Sequence, residues 1–321
     1  MRFAVMGTGG VGGYFGGLLA FAGYDVTFIA RGPHLAALRE RGLRVESVHG
    51  DFVVSRAQST DDPAAVGPVD AVLFATKTYQ LEAAARAMLP LVGPETSVIP
   101  LHNGIDSAER TAAIVGPERA LGGLCYVGSM IAAPGVIRQQ SQFRRVVMGE
   151  MPWRGERARL TPRVEAIAAA LRAAGATAEV TDDIQAARWT KFAFIAPFSG
   201  VAAVSRVPAG EINAAPETRA LLHAAIAEVV AVAAAEGVAL PGEPDKTIAF
   251  CDALAPHITA SMQRDVLEGK PSELESLVAA MVRKGEELSV PTPCFRFFYA
   301  VLLPQERAAR RRADAQGGAA Q

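Results

Sequence analysis

The sequence has little cysteine and histidine, with three and five residues among 321. Cys125, Cys251 and Cys294 are odd in number and far apart, which argues against a disulfide framework. No Cys-x-x-Cys or His-x-x-x-His pair is present, so the sequence indicates no metal site. The sequence also has no large excess of charge of one sign, because it contains 32 basic and 33 acidic residues. This balance gives no electrostatic footprint for nucleic acid.

Hydrophobic runs that approach the length of a membrane span are also lacking. A strand predicted from residue 3 leaves no room for a signal peptide, so we expect a cytoplasmic protein without membrane contact. Residues 305–321 predict a disordered tail, with contact to a partner as the alternative. The concentrated basic run lies in this tail and consists of Arg307, Arg310, Arg311 and Arg312.

Length and texture predict two domains. The 321 residues are half hydrophobic, which is enough for two cores. Short apolar runs alternate with helical patterns over residues 1–181, which is typical of an α/β domain with a doubly wound sheet of the Rossmann type. Residues 182–304 predict an all-helical domain, with helices near 184–204, 216–236, 244–266, 272–288 and 294–303. The sequence leaves open whether these alanine-rich helices form the domain core or also pack against a second copy in a homodimer.

The predicted N-terminal strand leads into a glycine-rich turn. Gly7, Gly9 and Gly12 match the pattern Gly-x-Gly-x-x-Gly between a strand and a helix. The first glycine permits the turn, the second lets the backbone approach a pyrophosphate, and the third lets helix and strand pack closely. N–H groups at the helix start face the anion. We predict a dinucleotide site at Gly7, Thr8, Gly9, Gly10, Val11 and Gly12, against the alternative of a glycine-rich turn in an ordinary βα unit.

The next predicted strand, over residues 26–30, ends at Arg31. An NAD-specific fold places an acidic residue at about this position to bind the ribose 2′-hydroxyl. An arginine can instead pair with the 2′-phosphate of NADP, so we predict NADP as the cofactor. The alternative is an arginine that merely starts the next helix.

Two polar residues follow later predicted strands. Lys77 comes after the strand at 70–76, and Asn103 follows the strand at 97–101. Ligands of open α/β sheets bind outside the carboxyl ends of the strands, which makes both residues candidates to face cofactor or substrate. Read alone, each is also typical of a solvated loop or a turn.

A lysine lies on an apolar helical face in the predicted helical domain. Lys191 shares this face with Ala187, Ile195 and Phe198. A buried lysine costs free energy unless it is paired, and desolvation lowers its pKa, so that it can donate a proton near neutral pH. The alternative is a snorkelling lysine whose stem covers apolar surface.

Ser261 and Glu273 are further polar candidates in this domain. Ser272 and Glu275 fit a helix N-cap arrangement, and the first turn of a helix favours acidic residues. A cap therefore accounts for Glu273 without any function.

Together these motifs resemble the ketopantoate reductases, also called 2-dehydropantoate 2-reductases, in order over nearly the whole chain. Each motif is weak alone, and the order and spacing make the set specific. The resemblance rests on residues 7–12, Arg31, Thr76-Lys77, His102-Asn103-Gly104, Trp189-Thr190-Lys191, Ser261-Met262 and Ser272-Glu273-Leu274.

The resemblance implies that NADPH delivers hydride to the ketone carbon of ketopantoate, in pantothenate biosynthesis. Lys191 protonates the developing alkoxide and stabilises its charge. Glu273 accepts a hydrogen bond from a substrate hydroxyl, and Ser261 contacts the carboxylate. Asn103 orients substrate and nicotinamide, and Lys77 supports the charge balance.

The sequence departs from the family at two positions. Well-studied members carry asparagines four and eight residues after the lysine, where this chain has Ile195 and Ser199. Ile195 indicates a more apolar substrate end or an altered grip on ketopantoate, with Ser199 as a remaining polar contact. An apolar pocket discriminates poorly between substrates with and without a hydroxyl.

Two alternative functions follow. One is the same hydride chemistry on another branched 2-oxo or hydroxy acid. The other is an NADP-binding protein that has lost the chemistry, and the presence of both Lys191 and Glu273 argues against it.

Overall fold

The computed structural model describes residues 1–153 and 159–318, which divide into two compact units. Met1–His102 and Ser107–Gln185 form the sheet unit. Asn103–Asp106 and the chain from Ala186 onward form the helical unit. The boundary expected after residue 181 lies a few residues before this division. The sequence did not predict that Asn103–Asp106 belongs to the helical unit. It does so because Ile105 is buried in the core of that unit.

The sheet unit alternates strands and helices. Its strands are β1 (Arg2–Met6), β2 (Asp25–Ile29), β3 (Leu43–Ser47), β4 (Phe52–Val54), β5 (Gln58–Thr60), β6 (Ala71–Phe74), β7 (Ser97–Pro100), β8 (Leu121–Ala133), β9 (Val136–Glu150) and β10 (Thr177–Val180). Its helices are α1 (Gly10–Phe21), α2 (Gly32–Arg41), α3 (Leu81–Ala87), α4 (Ser107–Val115) and α5 (Pro162–Ala173), with short 3-10 helices at Pro63–Ala65, Thr78–Gln80 and Leu89–Leu91.

The first sheet is parallel and has the strand order β5-β2-β1-β6-β7. The last four residues of β1 and all of β6 are apolar and buried, whereas the edge strand β5 is polar. The order reverses between β1 and β6, which makes their carboxyl ends the switch point at which such sheets bind ligands. The predicted Rossmann-type fold is confirmed.

The second sheet has the order β10-β9-β3-β4, and β8 pairs with β9 in a long antiparallel hairpin. Strands β3 and β4 form an antiparallel hairpin. Helix α1 packs closely on both sheets, because a side chain at Gly16 would meet Val5 of the first sheet and one at Gly13 would meet Ile137 of the second.

The helical unit contains no strand among its described residues. Its elements are α6 (Ile184–Ser205), α7 (Ala209–Ala214), α8 (Pro216–Ala235), α9 (Asp245–Asp252), α10 (Ser261–Leu267), a π-helix (Glu275–Ala279) that continues into α11 (Ala280–Glu287), and α12 (Pro293–Gly318). Large side chains that include Trp189, Phe192, Phe295 and Phe298 form its core. The predicted all-helical domain is confirmed.

One predicted helix, over residues 244–266, is divided into α9 and α10. Pro256 lies between them, and a proline cannot donate the helical backbone hydrogen bond and disfavours helical backbone at the residue before it. The carbonyls of Pro256 and Ile258 accept hydrogen bonds from the first amides of α7, with N···O distances of 3.0 and 2.9 Å. The break therefore serves the start of a neighbouring helix.

The prediction of a disordered tail from residue 305 was wrong as far as residue 318. Helix α12 continues to Gly318, because Leu302, Glu306 and Ala309 are buried at helical spacing. Residues 319–321 lie outside the described residues.

The expectation that no run reaches the length of a membrane span was also wrong, since α8 is long and apolar enough by length and composition. Its Leu222, Ile226 and Val229 are fully buried in the core of the helical unit. A buried core helix of a globular unit meets the same criteria. The cytoplasmic location stays a prediction.

Candidate active site

The glycine-rich turn follows β1 directly at the switch point of the first sheet. Gly7 has a φ of +96°, and a Cβ added to it would lie 2.7 Å from Cγ2 of Thr76, just beyond β6. A Cβ on Gly12 would lie 2.2 Å from the Gly7 carbonyl oxygen. Both positions therefore require glycine, the first for its backbone conformation and the second for the close packing of α1 on the turn.

Gly9 differs from these two glycines because a Cβ added to it would meet no atom of the described residues beyond its chain neighbours within 4 Å. It is the N-cap of α1, and this helix has no side-chain cap and no acidic residue in its first turn. A helix start of this kind presents backbone N–H groups and a positive dipole end to an anion. The open space at Gly9 lets a pyrophosphate approach, so the turn fits a dinucleotide.

Two other residues of the turn have structural contacts. Thr8 is buried, and its hydroxyl donates a hydrogen bond of 2.9 Å to the Ile29 carbonyl of β2. A side chain at Gly10 would lie 2.5 Å from the Ser129 carbonyl oxygen of β8. Val11, which follows, is half-buried against the core. Thr8 therefore fixes the turn against the neighbouring strand, and cofactor contacts of these residues stay predictions.

Arg31 and Lys77 both follow strands that flank β1. Arg31 is exposed at the N-cap of α2, just after β2. Lys77 is half-buried at the start of the 3-10 helix Thr78–Gln80, just after β6. Each lies beyond the carboxyl end of its strand, where a dinucleotide binds in such sheets.

The helical unit joins three predicted residues in one hydrogen-bonded chain. The Lys191 ammonium donates to Oδ1 of Asn103 at 2.9 Å, and Nδ2 of Asn103 donates to Oε2 of Glu273 at 3.2 Å. Only this orientation of the amide pairs a donor with an acceptor at both ends. The neutral amide thus links a cation to an anion.

The hydrogen-bonded chain of Lys191, Asn103 and Glu273 is largely shielded from water. Lys191 is 8% exposed and Glu273 is 5% exposed, while Asn103 is half-buried. Burial of a charged group is costly unless it is paired, and the Asn103 amide gives both charged groups a partner. The same low-dielectric setting strengthens their interaction with any polar ligand.

Several contacts hold Asn103 in place. The Arg188 guanidinium is buried and donates to the Ile105 carbonyl, which ties the segment Asn103–Asp106 to α6. Gly104 has a φ of +144°, and a Cβ there would lie 3.3 Å from Cβ of Ser276 in the π-helix. Glycine at position 104 therefore allows the segment to approach the turn that carries Glu273.

Two charged side chains contact Trp189, which lies near the start of α6. Nε1 of Trp189 donates to Oε2 of Glu236 at 3.1 Å, and Lys284 forms an ion pair with the same carboxylate. The Lys284 ammonium also lies 5.9 Å from the centre of the Trp189 ring. Trp189 precedes Lys191 by two residues, so these contacts anchor the helix that carries the lysine.

The remaining predicted residues of this unit are not members of the hydrogen-bonded chain that joins Lys191, Asn103 and Glu273. Ser261 begins α10, is half-buried, and makes no side-chain hydrogen bond within the described residues. Ile195 is half-buried one helical turn after Lys191. Ser199 is fully buried a further turn on, and its hydroxyl has no hydrogen-bond partner in the described part of the chain. The substrate contacts predicted for Ser261 and Ser199 stay predictions.

Comparison with known families identifies the chain. The family described as "Ketopantoate reductase PanE/ApbA" matches residues 3–153, and its C-terminal counterpart matches residues 183–306. The chain belongs to the ketopantoate reductase family. Members are nicotinamide-dependent oxidoreductases that act on small-molecule keto acids. The resemblance seen in the sequence motifs is confirmed.

Individual relatives agree with this assignment. The uncharacterized oxidoreductase YkpB of Bacillus subtilis is 33% identical over 95% of this chain and 99% of its own length. The crystal structure of 2-dehydropantoate 2-reductase from Geobacter metallireducens is 32% identical, with a TM-score of 0.87 over 95% of this chain and 99% of that one. A ternary structure of D-mandelate dehydrogenase with NADH has the same TM-score of 0.87 over 97% and 100% of the two chains. At 21% identity, that last likeness concerns the fold.

Proposed function

We propose that this member of the family reduces ketopantoate to pantoate with NADPH, and that Lys191 is the general acid. The observation that carries the proposal is the buried hydrogen-bonded chain from Lys191 through Asn103 to Glu273. In this proposal Lys191 donates a proton, the Asn103 amide holds the two neighbouring groups in place, and the Glu273 carboxylate accepts a hydrogen bond from the substrate hydroxyl. Reduction of a hydroxylated 2-oxo acid uses these three groups.

When bound, NADPH supplies the hydride that reduces the ketone carbon. The turn at Gly9 and the start of α1 hold its pyrophosphate, and the exposed Arg31 guanidinium pairs with its 2′-phosphate. Lys77, beyond the end of β6, adds positive charge on the same sheet edge.

Lys191 acts on the ketone oxygen. An ammonium has three N–H donors, and the bond to Asn103 fixes the direction of one of them. A second N–H donates to the ketone oxygen, stabilises the negative charge that develops there, and transfers its proton to form the alcohol. Glu273 accepts a hydrogen bond from the substrate hydroxyl, and Asn103 keeps the lysine and the carboxylate in a fixed relation.

The test is the initial rate of NADPH oxidation with ketopantoate and with trimethylpyruvate, the analogue that lacks the hydroxyl. We expect a kcat/KM for ketopantoate at least about tenfold higher, because a buried acceptor left without its hydroxyl partner costs binding energy in the transition state. NADPH binding without oxidation in the presence of either acid would contradict the proposal.

A second candidate function is reduction of a 2-oxo acid with an apolar branched end, and Ile195 favours it. This side chain lies one helical turn from Lys191 and is only half-buried, so an apolar surface adjoins the position of the lysine. Equal or faster turnover of trimethylpyruvate by the wild-type enzyme would support this candidate. In that case Ile195→Asn should raise the preference for ketopantoate by about tenfold, while Ile195→Leu should leave it unchanged.

A further inference from the structure

A buried carboxylate on the last helix contacts the residue before Glu273. Glu306 of α12 is 4% exposed, and its carboxylate accepts hydrogen bonds from the backbone N–H of Ser272 at 3.0 and 3.2 Å. It also accepts a hydrogen bond of 2.6 Å from the Ser272 hydroxyl. Arg310, one turn further along α12, forms an ion pair with it at 2.7 Å.

These hydrogen bonds extend to the residue after Glu273. The Ser272 hydroxyl, which donates to Glu306, also accepts a hydrogen bond of 3.3 Å from the Leu274 backbone N–H. The Glu273 carbonyl in turn accepts from the N–H groups of Ser276 and Leu277 at 3.2 and 3.0 Å. The backbone on both sides of Glu273 is therefore fixed, and Glu306 is the charged end of this network.

An ordinary helix start does not need such an arrangement. A serine hydroxyl alone can cap the first amides of a helix. Here the hydroxyl that accepts from the Leu274 N–H is itself bound to a carboxylate that lies 34 residues away in the chain, and burying a carboxylate is costly unless it is fully paired. Charge-assisted bonds of this kind are short and directional, so they restrict position more strongly than a neutral cap does.

We propose that Glu306 is a positioning residue for Glu273. It holds the Ser272–Leu274 turn, so that the Glu273 carboxylate keeps its bond to Asn103 and Asn103 keeps its bond to Lys191. This inference rests on the proposed function for its kinetic effects, while its structural effect on the turn does not depend on the reaction.

The test compares Glu306→Gln with Glu228→Gln. Glu228 is a matched control, because it is also a buried carboxylate of the helical unit that accepts two backbone bonds, from Cys294 and Phe295 at 2.7 and 3.2 Å. Both substitutions should lower the Tm. Only Glu306→Gln should lower kcat/KM for the oxo acid, by about tenfold to a hundredfold, with the KM for NADPH unchanged.

A double-mutant cycle with Glu273→Gln tests whether Glu306 acts through Glu273. In that background Glu306→Gln should reduce kcat/KM by less than about threefold, because the carboxylate that it positions is gone. A full independent loss in the double variant, wild-type kinetics of Glu306→Gln, or an equal loss in Glu228→Gln would each overturn the proposal.

Hydrogen exchange of the peptide that contains residues 272–277 gives a readout without catalysis. Exchange should be faster in Glu306→Gln than in wild type and unchanged in Glu228→Gln. If the protein reduces no oxo acid, the proposed function fails, and unchanged exchange in Glu306→Gln would separately overturn the positioning role. If Glu306→Gln does not fold, Ser272→Ala removes the shared hydroxyl and should show the same changes in kinetics and exchange to a smaller extent.

Discussion

The two candidate sites of this chain are built in opposite ways. The glycine-rich turn of the sheet unit works through backbone, and its three key glycines lie within six consecutive positions. The chain of Lys191, Asn103 and Glu273 in the helical unit works through side chains that lie 88 and 170 residues apart in sequence. A turn that binds a ligand through backbone N–H groups is formed by neighbouring residues in the sequence. A network of side chains forms only when the fold brings distant residues together.

This difference predicts which kind of substitution should impair each site. Adding a methyl group should harm the turn, and removing a polar group should harm the network. Changes at one site should leave the ligand of the other largely unaffected. The following predictions test that separation.

The largest effect is expected for Lys191→Ala. Loss of the proton donor should lower kcat by about a hundredfold to ten-thousandfold, which is the usual contribution of a positioned general acid. The Kd for NADPH, measured by fluorescence titration, should change by less than about twofold. The exposed Lys270 is a control whose replacement by alanine should leave kcat unchanged. Wild-type kcat in Lys191→Ala would remove the lysine from the mechanism.

Arg31→Ala should change the choice between cofactors without changing the fold. The side chain is exposed, so the Tm should stay constant. Loss of one charge-assisted contact of ~1.5–3 kcal/mol should lower the ratio of kcat/KM for NADPH over NADH by about tenfold to a hundredfold. An unchanged ratio would show that Arg31 does not bind the 2′-phosphate.

Gly9→Ala and Gly12→Ala should separate binding from folding within one turn. A Cβ at Gly9 meets no atom of the described residues beyond its chain neighbours within 4 Å, so Gly9→Ala should keep the Tm and weaken NADPH binding by about tenfold, or ~1.4 kcal/mol. A Cβ at Gly12 lies 2.2 Å from a backbone oxygen, so Gly12→Ala should lower the stability by ~1–3 kcal/mol. Calorimetry and NADPH titration of both variants measure the difference. A lower Tm in Gly9→Ala with full NADPH affinity would contradict the assignment.

The smallest effect concerns stability alone, at Glu150 at the end of β9. Burial raises the pKa of this carboxyl, but hydrogen bonds from Arg163 and Thr161 outweigh burial and hold the pKa below its usual value. A pKa lowered by folding gives stability that is present above the unfolded-state pKa and is lost as the pH falls through the folded-state pKa. Glu150→Gln should therefore cost ~1–2 kcal/mol at neutral pH, and less below about pH 4.

Urea unfolding of wild type and Glu150→Gln at several pH values measures this difference in the free energy of unfolding. The kcat and the Kd for NADPH should stay the same, since Glu150 belongs to neither site. A stability difference that does not depend on pH would show that the Glu150–Arg163 contact is not its source.

Much of the sheet unit was predictable because its signals are local. The glycine pattern, the apolar strands and the turns between them lie within short windows, and their alternation with helices predicts a parallel sheet. Lys191 was also visible as a lysine on an apolar helical face. What the sequence could not show was that Asn103 belongs to the helical unit, since this depends on the packing of Ile105 and on the bond from Arg188.

The role proposed for Glu306 was not predicted from the sequence for the same reason. Its carboxylate accepts a hydrogen bond from Ser272, 34 positions away, and no local sequence pattern predicts that contact. A signal was present, because Glu306 follows Leu302 by one turn on the buried side of α12, where a charged residue needs an explanation. Interpreting residues 305–321 as a disordered tail hid that signal. The break between α9 and α10 was missed because two apolar helical patterns flank Pro256 with only a short interruption.

The most direct test of the central claim is transfer of deuterium from NADPH that carries deuterium at both hydrogen positions of the hydride-donating carbon of the nicotinamide. The enzyme is incubated with ketopantoate and this cofactor, and the product is analysed by mass spectrometry. The account predicts pantoate that carries one deuterium at the alcohol carbon, formed in proportion to the NADPH oxidised, and greatly reduced formation with Lys191→Ala. Unlabelled pantoate, or NADPH that is bound but transfers no deuterium to any oxo acid, would contradict it.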